Sequence, residues 1–300
     1  MKKILITGTN GLLGQKLVDQ LTTRPEIEVI ATARGQNRLP STKGYLYESL
    51  DITDESAVNA CIASHKPDVV IHTAAMTNVD QCESEKDACW DLNVHAVANL
   101  IKACEEQNAF LVHLSTDFIF DGEAGPYTEE DEPNPISFYG WSKLAAEKLV
   151  EKAKCKWAIA RTILVYGTAH DMSRSNIVLW VKNSIEGQKD INVVTDQWRT
   201  PTLAEDLAAG CILIAEKEAE GIFNISGEEL LNPYQMAEKT ADFFDLDKKY
   251  IHEASALTFS QPAKRPPRTG FDISKAKSVL GYKPRTFDEG IGILAEQMKA

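Results

Sequence analysis

Tyr139 and Lys143 have the residue types and the spacing best suited to chemistry in this sequence. They lie four positions apart in Tyr139-Gly140-Trp141-Ser142-Lys143, so on a helix they share one face. A phenol titrates near pH ~10 and is a poor base at neutrality. An ammonium group beside it favours the phenolate and lowers that value. Ser115-Thr116-Asp117 precedes them, across an acidic and proline-rich loop, and a hydroxyl held opposite can bind the oxygen that gains or loses a proton. Phenol, cation and hydroxyl together suit proton transfer at an alcohol oxygen while a cofactor moves hydride. A Y-x-x-x-K on a surface helix also arises by chance, and it is the N-terminus that argues against chance here.

Lys2 to Thr7 is a short apolar run of the kind that forms a buried parallel strand. Gly8, Gly11 and Gly14 follow at three-residue spacing, and Leu12, Leu13, Leu17, Val18 and Leu21 then recur at helical spacing. Strand, glycine turn and helix in that order make a phosphate site. The first glycine permits the turn, the second lets backbone approach a pyrophosphate, and the third lets helix and strand pack closely. The helix start adds free N–H groups and the positive end of its dipole. Gly8, Asn10, Gly11, Leu12, Leu13 and Gly14 are therefore candidate cofactor-binding residues. The next strand, Ile27 to Thr32, leads into Ala33-Arg34-Gly35. An NAD site places a carboxylate there for the ribose 2′-hydroxyl. Arg34 suits a 2′-phosphate instead, so NADP(H) is expected as the preferred cofactor, with NAD(H) second.

These elements belong to an alternating chain. Short strands are expected at 45–48, 68–72, 109–115 and 156–165, and helices at 55–64, 85–107 and 137–153. Alternation of this kind predicts an α/β fold, a Rossmann-type doubly wound parallel sheet whose ligands bind at the carboxyl ends of the strands. Gly8, Arg34, Asp51, Ala74, Ser115 and Gly167 all fall at such ends. Beyond 167 the pattern loosens, with helices expected at 174–186, 203–216, 233–244 and 287–299, strands at 191–194 and 221–225, and prolines at 262, 266, 267 and 284. The expected organisation is a nucleotide-binding domain over 1–166, receiving about 203–227, and a smaller, loop-rich substrate lobe from 167–202 and 228–300.

Composition sets the outer bounds. Of 300 residues, 43% are hydrophobic and 25% charged, as in an ordinary globular chain large enough for a substantial core. No apolar run approaches the ~18 residues of a membrane span. Met-Lys-Lys leads straight into a strand rather than an apolar leader, so a cytoplasmic location is expected. A net charge of −12 makes nucleic acid an unsuitable partner. Six cysteines without CxxC or Cys/His spacing suggest reduced core thiols rather than disulfides or a zinc site, and no metal is assigned. In so acidic a chain Arg199, Arg265 and Arg268 stand out as forks for phosphate oxygens, or else as solubilising loop charges.

The glycine spacing, Ser115-Thr116 and Tyr139-x-x-x-Lys143 together resemble the extended short-chain dehydrogenase/reductases. His72-Thr-Ala-Ala-Met-Thr-Asn-Val-Asp80, Leu92-Asn93-Val94, Ser115 to Gly122, Asn134 to Lys148, Arg161-Thr162 with Val165-Tyr166, and Asp196-Gln197 with Pro201-Thr202 narrow the resemblance to dTDP-4-dehydrorhamnose reductases, over nearly the whole chain. That branch also holds the regulatory β-subunit of methionine adenosyltransferase.

The resemblance implies Tyr139 as the acid protonating the sugar C4 oxygen. It implies Lys143 on the nicotinamide ribose and lowering the Tyr139 pKa, and Thr116 on the same oxygen as Tyr139. Asp51 and Ile52 would meet the adenine, and Ala74, Ala75 and Ser115 the rest of the cofactor. Thr77 and Val79 would line the sugar pocket, with Asn93 organising the site from its helix. Leu164 stands where rhamnose-forming members carry Trp, which leaves the particular deoxysugar open. The expected activity is NADPH-dependent reduction of a 4-keto nucleotide sugar. An epimerase of the same family and a non-catalytic NADP-binding regulatory subunit are the alternatives. A dehydratase would add an Asp-Glu pair after the catalytic Thr, and Asp117-Phe118 does not supply it. The helices at 85–107 and 137–153 are candidates for a homodimer seam.

Overall fold

A computed structural model describes residues 1–171 and 176–299. The chain opens with β1 (Lys2–Thr7), α1 (Leu12–Leu21), β2 (Ile27–Ala33), β3 (Tyr45–Ser49), α2 (Glu55–His65) and β4 (Val69–His72). Three helical segments follow, α3 (Val79–Ser84), α4 (Lys86–Trp90) and α5 (Ala96–Gln107), with a π-helical turn at Asp91–His95 between the last two. Then come β5 (Phe110–Thr116), α6 (Phe138–Val150) and β6 (Trp157–Thr162). The remainder runs β7 (Val165–Tyr166), α7 (Ile177–Glu186), β8 (Ile191–Val194), β9 (Thr202–Leu203), α8 (Ala204–Lys217), β10 (Gly221–Asn224), α9 (Pro233–Phe243), β11 (Ile251–Ala254) and α10 (Phe287–Gln297).

Seven strands form one parallel sheet in the order β10-β6-β5-β4-β1-β2-β3. Its central strands are buried on both faces, which is why Ile4-Leu5-Ile6 and Val69-Val70-Ile71 read as unbroken apolar runs. Leu17, Leu21, Leu207 and Cys211, from α1 and α8, cover one face. Val58, Ile62, Leu100 and Val150, from α2, α5 and α6, cover the other. This is the expected doubly wound, Rossmann-type arrangement. The chain reverses its direction of travel across the sheet between β3 and β4, which opens a crevice beyond the carboxyl ends of β1 and β4. The loop-rich lobe contains the parallel pair β8–β11, with α7 and α9 packed on it through Val181, Ile185, Ala237 and Ala241.

Three expectations need correction. The helix expected over 85–107 begins at Lys86, with Glu85 outside helical geometry at φ −120°, ψ 56°, and its middle, Asp91–His95, is a π-helical turn rather than regular α-helix. The strand expected over 156–165 stops at Thr162: Leu164 adopts φ 38°, and Val165-Tyr166 pair with β9 instead. Phe271, Ile273, Leu280 and Tyr282, expected within the substrate lobe, join the α1/α8 face of the sheet core. The helix expected from 174 has its first two residues outside the described ones and is seen from Ile177. All six cysteines are buried and unpaired.

Candidate active site

The crevice floor is the turn from β1 into α1. Gly8 has φ 77°, and a Cβ there would lie 2.7 Å from the Ala74 nitrogen. At Gly14 a Cβ would lie 2.4 Å from the Gly8 carbonyl oxygen. Both positions are closed to any side chain, and the turn lies directly against 73–75. α1 begins with Gly11 at its N-cap, without a side-chain cap and without an acidic residue in its first turn. Its leading N–H groups and dipole are thus left for an anion. Across the crevice, Ser115 Oγ is buried and has no hydrogen-bond partner among the described residues. A backbone cradle for phosphate and an orphaned hydroxyl facing the same strand ends fit a dinucleotide.

Asn10 organises the adenosine end. Its Oδ1 accepts from the Arg38 backbone at 2.9 Å and its Nδ2 donates to the Gln36 carbonyl at 2.8 Å, tying loop 35–38 to the glycine turn. Arg34 is exposed and makes no ion pair among the described residues. Its charge reaches Asp51, whose carboxyl is held below the usual range mainly by the Thr53 side chain and backbone. Ile52 is buried beside it.

At the centre of the rim, Ser137 caps α6 by accepting from the Gly140 N–H at 3.2 Å. Gly140 meets the turn after β5 so closely that a Cβ would lie 2.1 Å from the Phe118 carbonyl oxygen. This contact brings Tyr139 to Thr116, and the Phe118 ring packs edge-on to Tyr139 at 5.7 Å. Burial pushes the Tyr139 phenol well above its ordinary pKa, the hydrogen bond with Thr116 opposes this, and Asp117 reinforces it. The net shift is upward, and Lys143 is not among its causes. Lys143 Nζ lies 3.3 Å from His113 Nε2, and burial brings its own pKa down to about 8, against the pull of Glu147. A phenol of raised pKa stays loaded at neutral pH and suits proton donation rather than abstraction.

Asn93, on the π-helical turn, closes the back of this site. It accepts from the Met76 N–H at 2.8 Å, and its Nδ2 donates to the Met76 carbonyl at 3.1 Å and to Ser142 Oγ at 3.0 Å. Ser142 Oγ in turn donates to the Tyr139 carbonyl at 2.7 Å. One side chain so joins the segment after β4 to the Tyr139 turn of α6. Val79 packs against the buried Tyr139, while Thr77 is exposed beside it. One turn further along α6, Glu147 forms a fully buried bidentate pair with Arg161 of β6 at 3.0 and 2.7 Å.

The three arginines separate. Arg199 is corrected: it is buried, and its fork donates to the carbonyls of Trp198 at 2.7 Å and Pro266 at 2.6 Å. Its Nε lies 3.6 Å from the buried Asp117. It braces the loops behind Thr116, and its donors are spent on the protein. Arg265 holds Asp80 of α3 at 2.7 and 3.2 Å and borders a cavity of about 250 Å³ in the lobe. Trp180, Gln197, Pro233 and Phe259 also line that cavity. Arg268 is exposed, donating to the Gly125 carbonyl at 3.0 Å. Leu164 is 41% exposed. Among the described residues one trio of metal-ligating types converges, Glu48, Cys61 and His65. It lies at the β3 edge, far from Tyr139, where His65 and Glu48 already satisfy each other at 2.6 Å.

The family model described as the RmlD substrate binding domain matches residues 1–300. The chain belongs to this family. It is 33% identical over 290 residues to the methionine adenosyltransferase 2 subunit beta of Rattus norvegicus, covering 95% of this chain and 84% of that one. A solved dTDP-4-dehydrorhamnose reductase from Clostridium acetobutylicum is 33% identical, with a TM-score of 0.88 and full coverage of both chains. One from Bacillus anthracis in complex with NADP is 27% identical, with a TM-score of 0.84, covering 99% of this chain and 100% of that one. Among the described residues no helix is long and apolar enough to cross a membrane. Sequence reasoning missed Trp180, Gln197 and Phe259, which come together only through the lobe's tertiary packing, and it missed His113. The signal for His113 was a histidine breaking the apolar run of each of two successive strands, at 72 and 113.

Proposed function

We propose that this protein reduces a 4-keto nucleotide sugar with NADPH, dTDP-4-dehydro-L-rhamnose to dTDP-L-rhamnose or a close relative. The observation that carries this reading is the buried Tyr139–Thr116 pair. It stands at the same rim as the glycine cradle, with Lys143 one helical turn away. The solved reductase relatives, one of them crystallised with NADP, support the choice of reaction and cofactor.

The cofactor, when bound, supplies the hydride. Gly8, Gly11, Gly14 and the start of α1 hold its diphosphate, and Asn10 presents loop 35–38 so that Arg34 meets the 2′-phosphate. Asp51 and Ile52 flank the adenine, and Ala74, Ala75 and Ser115 the remaining ribose and phosphate side. The charged Lys143 holds the nicotinamide ribose. Thr116 binds the sugar C4 oxygen, and Tyr139 delivers the phenolic proton to it as negative charge develops there. Thr77, Val79 and Leu164 line the sugar, the nucleotide end extends to the cavity bordered by Arg265, and the exposed Arg268 is a further fork for its phosphates.

The test is a panel of 4-keto nucleotide sugars assayed for NADPH and NADH oxidation. Saturable NADPH consumption with one of them supports the reading, and none across the panel ends it. The relation to the methionine adenosyltransferase subunit favours a second reading, a dinucleotide-binding regulatory subunit without turnover. Tight NADPH binding with no oxidation by any keto-sugar, together with altered kinetics of an added adenosyltransferase, would favour that second reading.

A further inference from the structure

One row of side chains departs from the apolar character of the sheet face under α5 and α6. Leu5, Val70, Leu111 and Ile159 form that face, but Thr7, His72 and His113 are register partners across β1, β4 and β5. Thr7 Oγ1 lies 2.7 Å from His72 Nδ1. The two imidazoles stack at 5.4 Å with their planes 28° apart. His113 then meets Lys143 Nζ at 3.3 Å. Both histidines are buried, and burial pushes both pKa values down, His72 to about 3, with the Lys143 charge acting in the same sense. Both rings are neutral at physiological pH.

We propose that His113 is a positioning residue for Lys143, a neutral acceptor that orients the ammonium across the crevice without cancelling its charge. A carboxylate in its place would form a buried ion pair and spend the charge inside the protein. Methionine or phenylalanine would fill the space and leave a buried ammonium with one partner fewer. When Lys143 donates to Nε2, the ring proton resides on Nδ1, which has no partner among the described residues. Packing alone would favour an apolar residue at such a position. The other groups facing Lys143 are Glu147 and Tyr139 from its own helix and Cys89 from α4, with His72 behind His113. The inference rests on the proposed role of Lys143 at the nicotinamide ribose.

The experiment follows the lysine itself in the free protein, by NMR titration of ε-¹³C-labelled lysine, with the Lys143→Met spectrum identifying the signal. In the wild type the Lys143 signal is expected to titrate near pH 8. In His113→Phe and His113→Met it should titrate about one pH unit lower, because the charged form has lost an acceptor. The NADPH dissociation constant at pH 7.5 should rise about tenfold in both. His113→Gln, which keeps an acceptor oxygen, should return both readouts toward wild type. An unmoved Lys143 titration in a folded Phe or Met variant overturns the proposal, and so does a Gln variant that behaves like Phe. The NMR arm is independent of turnover: a wild-type protein that reduces no keto-sugar would refute the proposed reaction and leave the His113–Lys143 coupling measured.

Discussion

Gly140→Ala tests the arrangement at its tightest point. The new Cβ would lie 2.1 Å from the Phe118 carbonyl oxygen and 2.9 Å from Pro135 Cβ. Ordinary contact begins near 3.4 Å, so α6 and the Phe118 turn must separate by about 1.3 Å. Neither side gives way easily. Ser137 caps the first turn of α6, and Asp117 beside Phe118 is held by Arg199 and Thr269. The displacement therefore falls on Tyr139 against Thr116. A misplacement of ~1 Å at reacting groups costs about 10²-fold in rate, and overpacking of this kind costs about 1–3 kcal/mol in stability. The glycine cradle lies on β1 and α1, but Lys143 rides on α6 with Tyr139, so NADPH affinity should weaken as well, by about tenfold at most. Steady-state NADPH oxidation with the best keto-sugar, a fluorescence titration of NADPH and a urea melt together check all three quantities. A folded Gly140→Ala protein with wild-type kcat would show that the Phe118 contact does not set the Tyr139–Thr116 geometry.

Tyr139→Phe should lower kcat by ~10²–10⁴ and leave NADPH affinity nearly intact, since only the proton donor is lost; retention of a tenth of the wild-type rate would remove Tyr139 from the mechanism. Lys143 has a folded pKa near 8, below its unfolded value, so NADPH binding should weaken as pH rises through 8. Because the unfolded chain holds that proton to higher pH, the same group makes the free protein more stable as pH rises above about 8; both trends should vanish in Lys143→Met, as titrations and melts between pH 7 and 10 will show. Arg34→Asp should erase or reverse the preference for NADPH over NADH in kcat/KM, and an unmoved ratio would take Arg34 away from the 2′-phosphate. Arg199→Ala should destabilise the fold by about 3–5 kcal/mol, because it strands the buried Asp117; an undisturbed urea midpoint with a raised KM for the sugar would restore Arg199 to substrate binding.

The first half of the fold was legible because its signals are local. Strand, glycine turn and helix follow one another within Lys2–Leu21, and Tyr139 and Lys143 share one continuous helix. What escaped reading depends on distant segments or on backbone states that composition does not announce. Apolar periodicity continues through the π-helical turn, so α4, that turn and α5 read as one regular helix. The left-handed Leu164 occupies a position where leucine ordinarily extends a strand, and the chain turns there. Arg199 looked free because its partners, Asp117 and the carbonyl of Pro266, are about seventy or more residues away in sequence. The buried Arg161–Glu147 pair was hidden likewise, since a glutamate on a helix ordinarily faces water.

The position of β10 in the sheet bears on how this molecule is made. Its four residues, Gly221–Asn224, complete the row beside β6 only after α7, β8 and α8 have been synthesised. Until then β6 is an open edge, and the apolar side of α1 waits for Leu207 and Cys211. Phe271 and Tyr282 arrive later still to finish the same surface. A ribosome-bound chain released at residue 166 would thus present an unpaired strand and an uncovered apolar face, the two features that template aggregation. The half that cradles the nucleotide is therefore no detachable cassette, and the last third of the polypeptide acts as its chaperone in cis.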